Sequence, residues 1–213
     1  MSEPEPLTPA EGWGVLHLFC RLGPRPDAEA LRAAIKAARA ADVQVVPFSV
    51  FGHKADLGVM ALGADWVKLR GLQTAVVAAG FDIAYSYMSL TEVNEYAKGM
   101  PPEHLQARLY PVLPPAGKRA FCFYPMSKRR GETANWYAMD FEQRKDLMVG
   151  HGKIGRTFAG RVVQLITGST GLDDYEWGVS LFATGPDDLK DVVYTMRFDE
   201  ASARYAEFGP FYA

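Results

Sequence analysis

The sequence predicts an α+β fold in which two tandem ferredoxin-like repeats form a subunit of the dimeric α+β barrel type. Hydrophobic periodicity predicts the order β-α-β-β-α-β before residue 99, and the same order begins again after residue 118. A strand start also recurs, as Gly58-Val59-Met60 in the first half and Gly178-Val179-Ser180 in the second. We expect the two antiparallel sheets to pack on or close against each other, which hides their edges. The predicted parts are a flexible N-terminus (1–11), a first repeat (12–98), a connecting loop (99–118) and a second repeat (119–213).

Local residue patterns predict each element of the first repeat. An apolar, aromatic run that stops at Gly23 and Pro24 is typical of a strand closed by a turn. Leu31, Ile35 and Ala38 then recur at helical spacing in an alanine-rich segment. In order, the predicted elements are a strand (12–22), a helix (26–41), two strands (43–51 and 57–62), a helix (65–79) and a strand (82–90).

The second repeat follows a proline-rich connection at 101–115. Asp140 is the predicted N-cap of its first helix, with Gln143 as the capping-box partner and Gly160 just past the end. Pro125 is expected to end the first strand. The predicted elements are a strand (119–124), a helix (141–159), two strands (161–167 and 177–183), a helix (187–196) and a last strand (204–212).

Composition excludes several classes of protein. With 213 residues, 48% of them hydrophobic and 23% charged, the chain is too apolar to be a disordered segment. A net charge of −2 gives no general attraction to nucleic acid or to an anionic membrane, so we expect neither partner. Cys20 and Cys122 are too few for a disulfide framework and are expected to be reduced, buried thiols. The N-terminus lacks a signal-peptide pattern, which predicts a cytoplasmic protein.

His151 is the first candidate functional residue. It belongs to the predicted apolar stripe of its helix, with Leu147 four residues before and Ile154 three residues after, so we expect it to face the sheet. Gly150 and Gly152 flank it, which suggests a backbone cleared for something bulky and flat. One interpretation is an axial ligand of a heme iron, since the macrocycle supplies the other four ligands. The alternative, more frequent in general, is a core histidine satisfied by a hydrogen bond.

A second candidate region is FCFYPMSKRR, residues 121–130. Tyr124 shares a strand face with the small residues Ala120 and Cys122, which leaves room over the sheet. Lys128, Arg129 and Arg130 follow in a predicted loop, where three cations together are able to clamp carboxylates. A solvated charge run beside a packing tyrosine explains the same pattern.

Several further polar residues are open to two interpretations. Gln164 alternates with Val162 and Ile166, so its amide either caps a ligand site or faces water at a sheet edge. Surface salt bridges or helix caps are the default roles of Arg108, Arg197 and Ser202. The remaining histidines are interpreted as structural, although His104 lies in a loop that is able to reach a site; they are His17, His53 and His104.

Seven stretches of the sequence resemble the coproheme decarboxylase family, whose members are chlorite dismutase-like proteins. The resemblance is most specific in the second half of the chain and covers nearly all of it. The matching stretches are EGWGVLH (11–17), GHKADL (52–57), YPMSKRR (124–130), NWY (135–137), HGKIGR (151–156), GRVVQLITGSTGLDDYEWGVSLF (160–182) and MRFDEASARYAEFGPFY (196–212).

The resemblance implies roles for residues at matching positions. His151 would be the proximal iron ligand, Tyr124 the catalytic tyrosine, and Lys128 would serve the reacting propionate. Propionates would be held by Arg108, by Ser202 and by the segment Tyr124, Pro125, Met126, Ser127 and Lys128. Gln164 would lie on the distal side, and Arg197 in or near the pocket. His104 would be the counterpart of a distal base that some relatives take from a loop, whereas Gln164 indicates the other arrangement.

The same resemblance implies an activity and partners. Family members oxidatively decarboxylate two propionates of iron coproporphyrin III with hydrogen peroxide, through a tyrosyl radical, to give heme b. The iron porphyrin is then both substrate and redox centre. A homopentamer is implied, and a transient contact with a ferrochelatase is compatible with this role. The alternatives are a chlorite dismutase, which carries a distal arginine where this chain has Gln164, and a heme-binding or sensor protein without turnover.

Overall fold

The computed structural model of the chain describes residues 4–97 and 99–213 and contains the predicted order β-α-β-β-α-β twice. The first set consists of β1 (Gly14–Leu22), α1 (Ala28–Ala40), β2 (Gln44–Ser49), β3 (Leu57–Gly63), α2 (Trp66–Ala78) and β4 (Phe81–Thr91). After α3 (Pro102–Leu109), the second set consists of β5 (Ala120–Lys128), α4 (Phe141–Arg156), β6 (Val162–Gly168), β7 (Trp177–Ala183), α5 (Pro186–Met196), α6 (Glu200–Ala203) and β8 (Ala206–Phe208). Within the described residues, no helix is long and apolar enough to cross a bilayer.

Side-chain caps define where the helices begin. Asp27 accepts hydrogen bonds from the backbone of Glu29 and Ala30 at the start of α1, and Asp140 accepts one from Gln143 at the start of α4, at 2.9 Å in each case. The N-cap predicted at Asp140 is therefore confirmed. Such caps satisfy amide groups that have no partner within the helix.

All eight strands belong to one antiparallel sheet, in the order β2-β3-β1-β4-β6-β7-β5-β8. The two halves are joined between β4 and β6, where Leu90 pairs with Gly168 and Thr91 with Thr167. The sheet curls so that β2 approaches β5, and the ring of Phe48 lies 4.2 Å from that of Phe121. Apolar residues from both halves fill the interior of this curled sheet. They include Val15, Phe19, Met60, Tyr87, Phe123, Leu165 and Phe182.

The helices cover the outer face of the sheet unequally in the two repeats. In the first repeat, α1 buries Leu31 and Ile35 in a continuous core with α2. In the second repeat, α5 buries Val192 against the sheet, whereas α4 has no buried residue along its whole length. Phe158, just beyond the end of α4, is buried in the same cluster as Val179, Leu181 and Val192. The second repeat therefore leaves part of its sheet without a closely packed helix.

Three predicted elements differ from the structure. Pro125 does not end β5, which continues to Lys128, because the proline φ angle is compatible with an extended chain and the Pro125 carbonyl still accepts a hydrogen bond from the Gly209 amide at 2.8 Å. The predicted last strand is reduced to β8, since α6 forms before it and Gly209 and Pro210 follow it. The predicted loop at 99–118 contains α3, which begins at Pro102 as first-turn prolines commonly do.

Candidate functional site

The imidazole of His151 is held from one side by a carboxylate. Its Nδ1 atom lies 2.8 Å from Oδ2 of Asp199, a buried residue that caps α6. Ser202 Oγ lies 3.2 Å from the same carboxylate oxygen and 3.5 Å from Nδ1. Because a carboxylate accepts hydrogen bonds, Nδ1 carries the proton and donates it to this contact. The lone pair of the neutral imidazole is then on Nε2. Nε2 makes no hydrogen bond with any described residue, and this arrangement is typical of a metal-ligating histidine.

Side chains of α4 and of β6 remain partly exposed to solvent. His151 is about one quarter exposed (24%), so the prediction that its imidazole is buried is wrong. On the outer face of the sheet, Gln164 is exposed and Ile166 is 38% exposed, although both are paired with the buried residues Leu181 and Val179. Apolar sheet surface that the helices leave uncovered is a feature of pockets for planar hydrophobic ligands.

Tyr124 lies in the middle of β5 on this same face. It pairs with Val179 and is packed between two aromatic rings, with its centroid 4.5 Å from Phe211 in a stacked pair and 5.5 Å from Phe208 in an edge contact. Burial raises the pKa of the Tyr124 phenol above its ordinary value, so the hydroxyl keeps its proton at neutral pH. No described residue forms a hydrogen bond with that hydroxyl. A protonated phenol in apolar surroundings is suited to losing a hydrogen atom rather than a proton.

Lys128 follows Tyr124 by four residues, so strand alternation places both on one face. Lys128 is buried at the end of β5, so the prediction that it lies in a loop is wrong. Its Nζ donates to the carbonyl of Ala201 at 2.8 Å and lies 4.2 Å above the ring of Trp136. Burial lowers the pKa of Lys128 to about 8, against the opposing effect of the charges on Asp199 and Glu176. Because Ala201 belongs to α6, the same short helix positions Lys128 and the carboxylate behind His151.

The three predicted neighbouring cations do not point to one place. Arg129 Nε lies 3.5 Å from the carboxylate of Glu207. Arg130 pairs with the carboxylate of Glu176, and its guanidinium lies 4.7 Å from the ring centroid of Tyr137. β5 ends at Lys128, so Arg129 and Arg130 follow the strand, and each guanidinium pairs with its own carboxylate. Of the three cations, Lys128 alone belongs to the strand that carries Tyr124.

The other residues predicted to hold propionates divide into two groups. Pro125, Met126 and Ser127 are in β5, directly between Tyr124 and Lys128, and Ser127 Oγ accepts a hydrogen bond from the Glu176 amide at 3.2 Å. Ser202 is beside His151, as described above.

Three residues predicted to belong to the site lie away from His151, Tyr124 and Lys128. Arg197, at the exposed end of α5, places its guanidinium 4.7 Å from the ring centroid of Tyr194. Arg108 and His104 are on α3, in the connection between the repeats. Neither makes a side-chain hydrogen bond or ion pair with the described residues near His151.

Asp199, Trp136 and Phe211 are parts of the site that the sequence interpretation did not single out. For Asp199 a signal exists, because an aspartate three residues before Ser202 matches the spacing of an N-cap. Its pairing with His151 has no sequence signal, since it depends on how α4 packs against α6. Trp136 and Phe211 lie within the matching stretches, but neither has an ionisable group that would mark it as functional.

Comparison with known proteins identifies the family of this chain. The family model described as chlorite dismutase matches residues 26–213. A coproheme decarboxylase from Staphylococcus carnosus is 45% identical over 175 residues, which cover 78% of this chain and 70% of that protein. A protein of Natronomonas pharaonis that is named for heme binding is 38% identical over 244 residues. That match covers all of this chain, and the chain spans 40% of the length of that relative.

Solved structures show the same fold. A heme-binding protein from Thermus thermophilus superposes with a TM-score of 0.84 at 37% identity, covering 98% of this chain and 93% of that one. A chlorite dismutase from Candidatus Nitrospira defluvii, in complex with imidazole, superposes with a TM-score of 0.72 at 15% identity, covering 94% and 89%. The second likeness concerns the fold alone. The extent of the family match and the identity to the Thermus protein lead to one conclusion: this chain belongs to the chlorite dismutase family.

Proposed function

We propose that this protein is a coproheme decarboxylase, an oxidoreductase that uses hydrogen peroxide to convert iron coproporphyrin III into heme b. The observation that carries the proposal is the pairing of His151 with Asp199, which leaves Nε2 free on a helix that buries none of its own residues. The identity to the Staphylococcus enzyme supports the choice of substrate. Heme b would be the product, and two propionates would be lost on the way to it.

In this proposal His151 binds the iron of the substrate through Nε2. Asp199 keeps the imidazole in one tautomer and one orientation, and Ser202 supports that carboxylate. The apolar part of the macrocycle would lie on the sheet face near Ile166 and Val179. Lys128 is the cation on the strand that carries Tyr124, so it would attract a propionate to that edge.

The substrate's own iron and peroxide supply the oxidising power for the reaction. Tyr124 would give up its phenolic hydrogen atom and then take one from the β-carbon of a propionate. Loss of one more electron and of carbon dioxide from that propionate leaves a vinyl group. For each propionate, one peroxide and one proton are consumed, and one carbon dioxide and two waters are released. The apolar packing around Tyr124 keeps water away from the radical.

Gln164 supports decarboxylation over chlorite chemistry. It is exposed on the outer sheet face, at the position where the resemblance implies a distal arginine in chlorite dismutases. An amide has no positive charge with which to hold an anionic oxidant. A role in heme binding or sensing without turnover would give Tyr124 no function.

Partners are part of the same proposal. We propose a homopentamer and a transient contact with a ferrochelatase, whose product is the substrate assumed here. Large exposed apolar side chains are compatible with contacts between subunits; they include Phe51 (86% exposed), Val112 (85%) and Phe198 (70%). Analytical ultracentrifugation measures the mass of the purified assembly, and its ratio to the chain mass of 23.5 kDa gives the number of subunits.

The function is tested by mixing the purified protein with ferric coproporphyrin III, adding peroxide stepwise and following the porphyrin by mass spectrometry. The expected result is two successive losses of carbon dioxide, with the final mass of heme b. A parallel sample with chlorite is monitored for oxygen release. A bound porphyrin of unchanged mass would indicate a binding protein, and rapid oxygen release from chlorite would indicate a chlorite dismutase; either result overturns the proposal.

A further inference from the structure

The turn between β2 and β3, which contains the stretch GHKADL, contacts the end of the chain. Lys54 Nζ donates a hydrogen bond to the carbonyl of Phe211, and the ammonium lies 5.5 Å from the ring centroid of Tyr212. The amide of Phe51 donates to the carbonyl of Ala213 at 2.8 Å. A segment of the first repeat therefore binds residues 209–213 of the second repeat. These five residues are here called the tail.

The tail is held on its other side by β5. Tyr212 exchanges two backbone hydrogen bonds with Phe123, each 2.8 Å long, and the Gly209 amide donates to the Pro125 carbonyl, also at 2.8 Å. At Gly209 a side chain has no room, because a Cβ atom would lie 2.6 Å from Pro125 Cγ. These contacts fix the tail alongside the strand that carries Tyr124.

Alternation along the extended tail explains why Lys54 has a specific partner. The polar backbone groups of Tyr212 face β5, so the carbonyls of Phe211 and Ala213 face the opposite way. That side would be a free sheet edge, but Lys54 and the Phe51 amide occupy both carbonyls. The Phe211 ring then lies at 27° to the ring of Tyr124, in a stacked contact.

We propose that Lys54 is a positioning residue for Tyr124, acting through the backbone of Phe211 and the stacking of its ring on the phenol. The inference rests on the proposed function, in which Tyr124 exchanges a hydrogen atom with a propionate. Hydrogen transfer depends steeply on distance, and a displacement of about 1 Å is able to cost about 10²-fold in rate. The first repeat thereby contributes to a reaction whose other residues all come from the second.

The test compares Lys54→Met, which keeps the aliphatic stem and loses the donor, with Lys54→Arg, which keeps a donor. Lys36→Met is the matched control, because Lys36 is exposed on α1 in the same repeat. The first readout uses ligand-free protein labelled with 3-fluorotyrosine, in which each of the ten tyrosines gives one fluorine resonance. The resonance of Tyr124 is assigned by its loss in Tyr124→Phe. We expect it to shift or broaden in Lys54→Met and to recover in Lys54→Arg.

The second readout is turnover. Lys54→Met is expected to lower kcat for heme b formation by about 10-fold or more while the affinity for ferric coproporphyrin III stays unchanged. Phe211→Leu is expected to do the same, and the double variant to be no worse than the poorer single variant, because both act on one contact. A wild-type kcat together with an unchanged Tyr124 resonance in Lys54→Met overturns the inference. Failure of the wild-type protein to form heme b instead overturns the proposed function, and the fluorine spectrum still reports whether Lys54 positions Tyr124.

Discussion

Nδ1 of His151 lies 2.8 Å from Oδ2 of Asp199, although 48 positions separate the two residues along the chain. The contact joins α4 to the beginning of α6. It also makes Nε2 of the imidazole a stronger donor of its electron pair. In the proposed function, it therefore links the packing of two helices to the strength of the bond between His151 and the iron.

Replacing Asp199 with Asn is expected to weaken binding of ferric coproporphyrin III by about 10- to 100-fold. Asn keeps the N-cap of α6 but removes the negative charge behind the imidazole. Absorbance titration measures the affinity, and resonance Raman spectroscopy should show a lower iron–histidine stretching frequency. Glu200→Gln, at the exposed neighbouring position, serves as the control. Equal affinity in Asp199→Asn and wild type would disprove the role of the carboxylate.

His151→Ala is expected to remove the axial ligand, so the absorption spectrum of the ferric porphyrin complex should change or be lost. Addition of free imidazole should restore part of the spectrum, because the cavity left by the side chain opens toward the ligand. His104→Ala, on α3, is the comparison and should bind normally. If His151→Ala kept the wild-type spectrum, another residue would have to be the ligand.

Tyr124→Phe is expected to bind ferric coproporphyrin III as the wild type does and to form little or no heme b. Phenylalanine keeps the stacking on Phe211 and lacks the hydrogen atom that the proposed reaction transfers. Freeze-quenched samples after peroxide addition should lose the tyrosyl signal in electron paramagnetic resonance. Tyr194→Phe, at an exposed position on α5, should retain both signal and product. Normal product formation by Tyr124→Phe would exclude the mechanism.

Lys128→Met is expected to lower turnover by about 10²-fold, because it removes the cation that shares a face with Tyr124. The effect on the free energy of unfolding should be small. Loss of the hydrogen bond to Ala201 destabilises the fold, whereas removal of a buried charge offsets that loss. Arg129→Met tests whether any cation of this segment suffices. Similar rates for Lys128→Met and Arg129→Met would contradict a specific role.

His17 is expected to make the protein less stable in acid. It is fully buried, its Nε2 atom lies 2.9 Å from Ser180 Oγ, and its ring stacks on Phe123. Burial lowers the pKa of His17 to about 3, from an ordinary value of 6.5. The folded state thus needs the neutral form of His17. The free energy of unfolding is therefore highest above pH 6.5, as far as His17 is concerned, and decreases as the pH falls from 6.5 toward 3. The slope approaches about 1.4 kcal/mol per pH unit.

His17→Gln removes this titrating group, so its melting temperature should depend less on pH between 6.5 and 4 than that of the wild type. His53→Gln is the control, because His53 is exposed in the turn after β2. Parallel curves of melting temperature against pH for His17→Gln and wild type would show that His17 does not cause the acid sensitivity.

The repeated fold was predictable because its signals are local. Apolar periodicity within about ten residues identifies a helix or a strand, and the glycines at 58 and 178 mark equivalent strands. Errors arose where a distant contact outweighs a local preference. Pro125 remains within β5 because β7 and the tail pair with it on both sides, and no pattern near Pro125 indicates those partners.

The site was predictable only in part, for the same reason. His151 was marked by flanking glycines and by family resemblance, whereas its partner Asp199 comes from a different helix. The predicted cluster of three cations assumed that all three lie in one loop, whereas Lys128 lies in β5 and Arg129 pairs with Glu207. Residue type and spacing therefore identify candidates, but the shared geometry depends on how helices and strands pack.

In the proposed function, the lack of buried residues in α4 gives the porphyrin a structural role as well as a chemical one. In the first repeat, α1 completes the core with its own side chains, Leu31 and Ile35. In the second repeat, the corresponding space would be filled by a porphyrin that the protein must later release. Each turnover would then end with the removal of part of the hydrophobic core. Hydrogen exchange in α4 should be fastest in the interval between product release and the arrival of the next substrate.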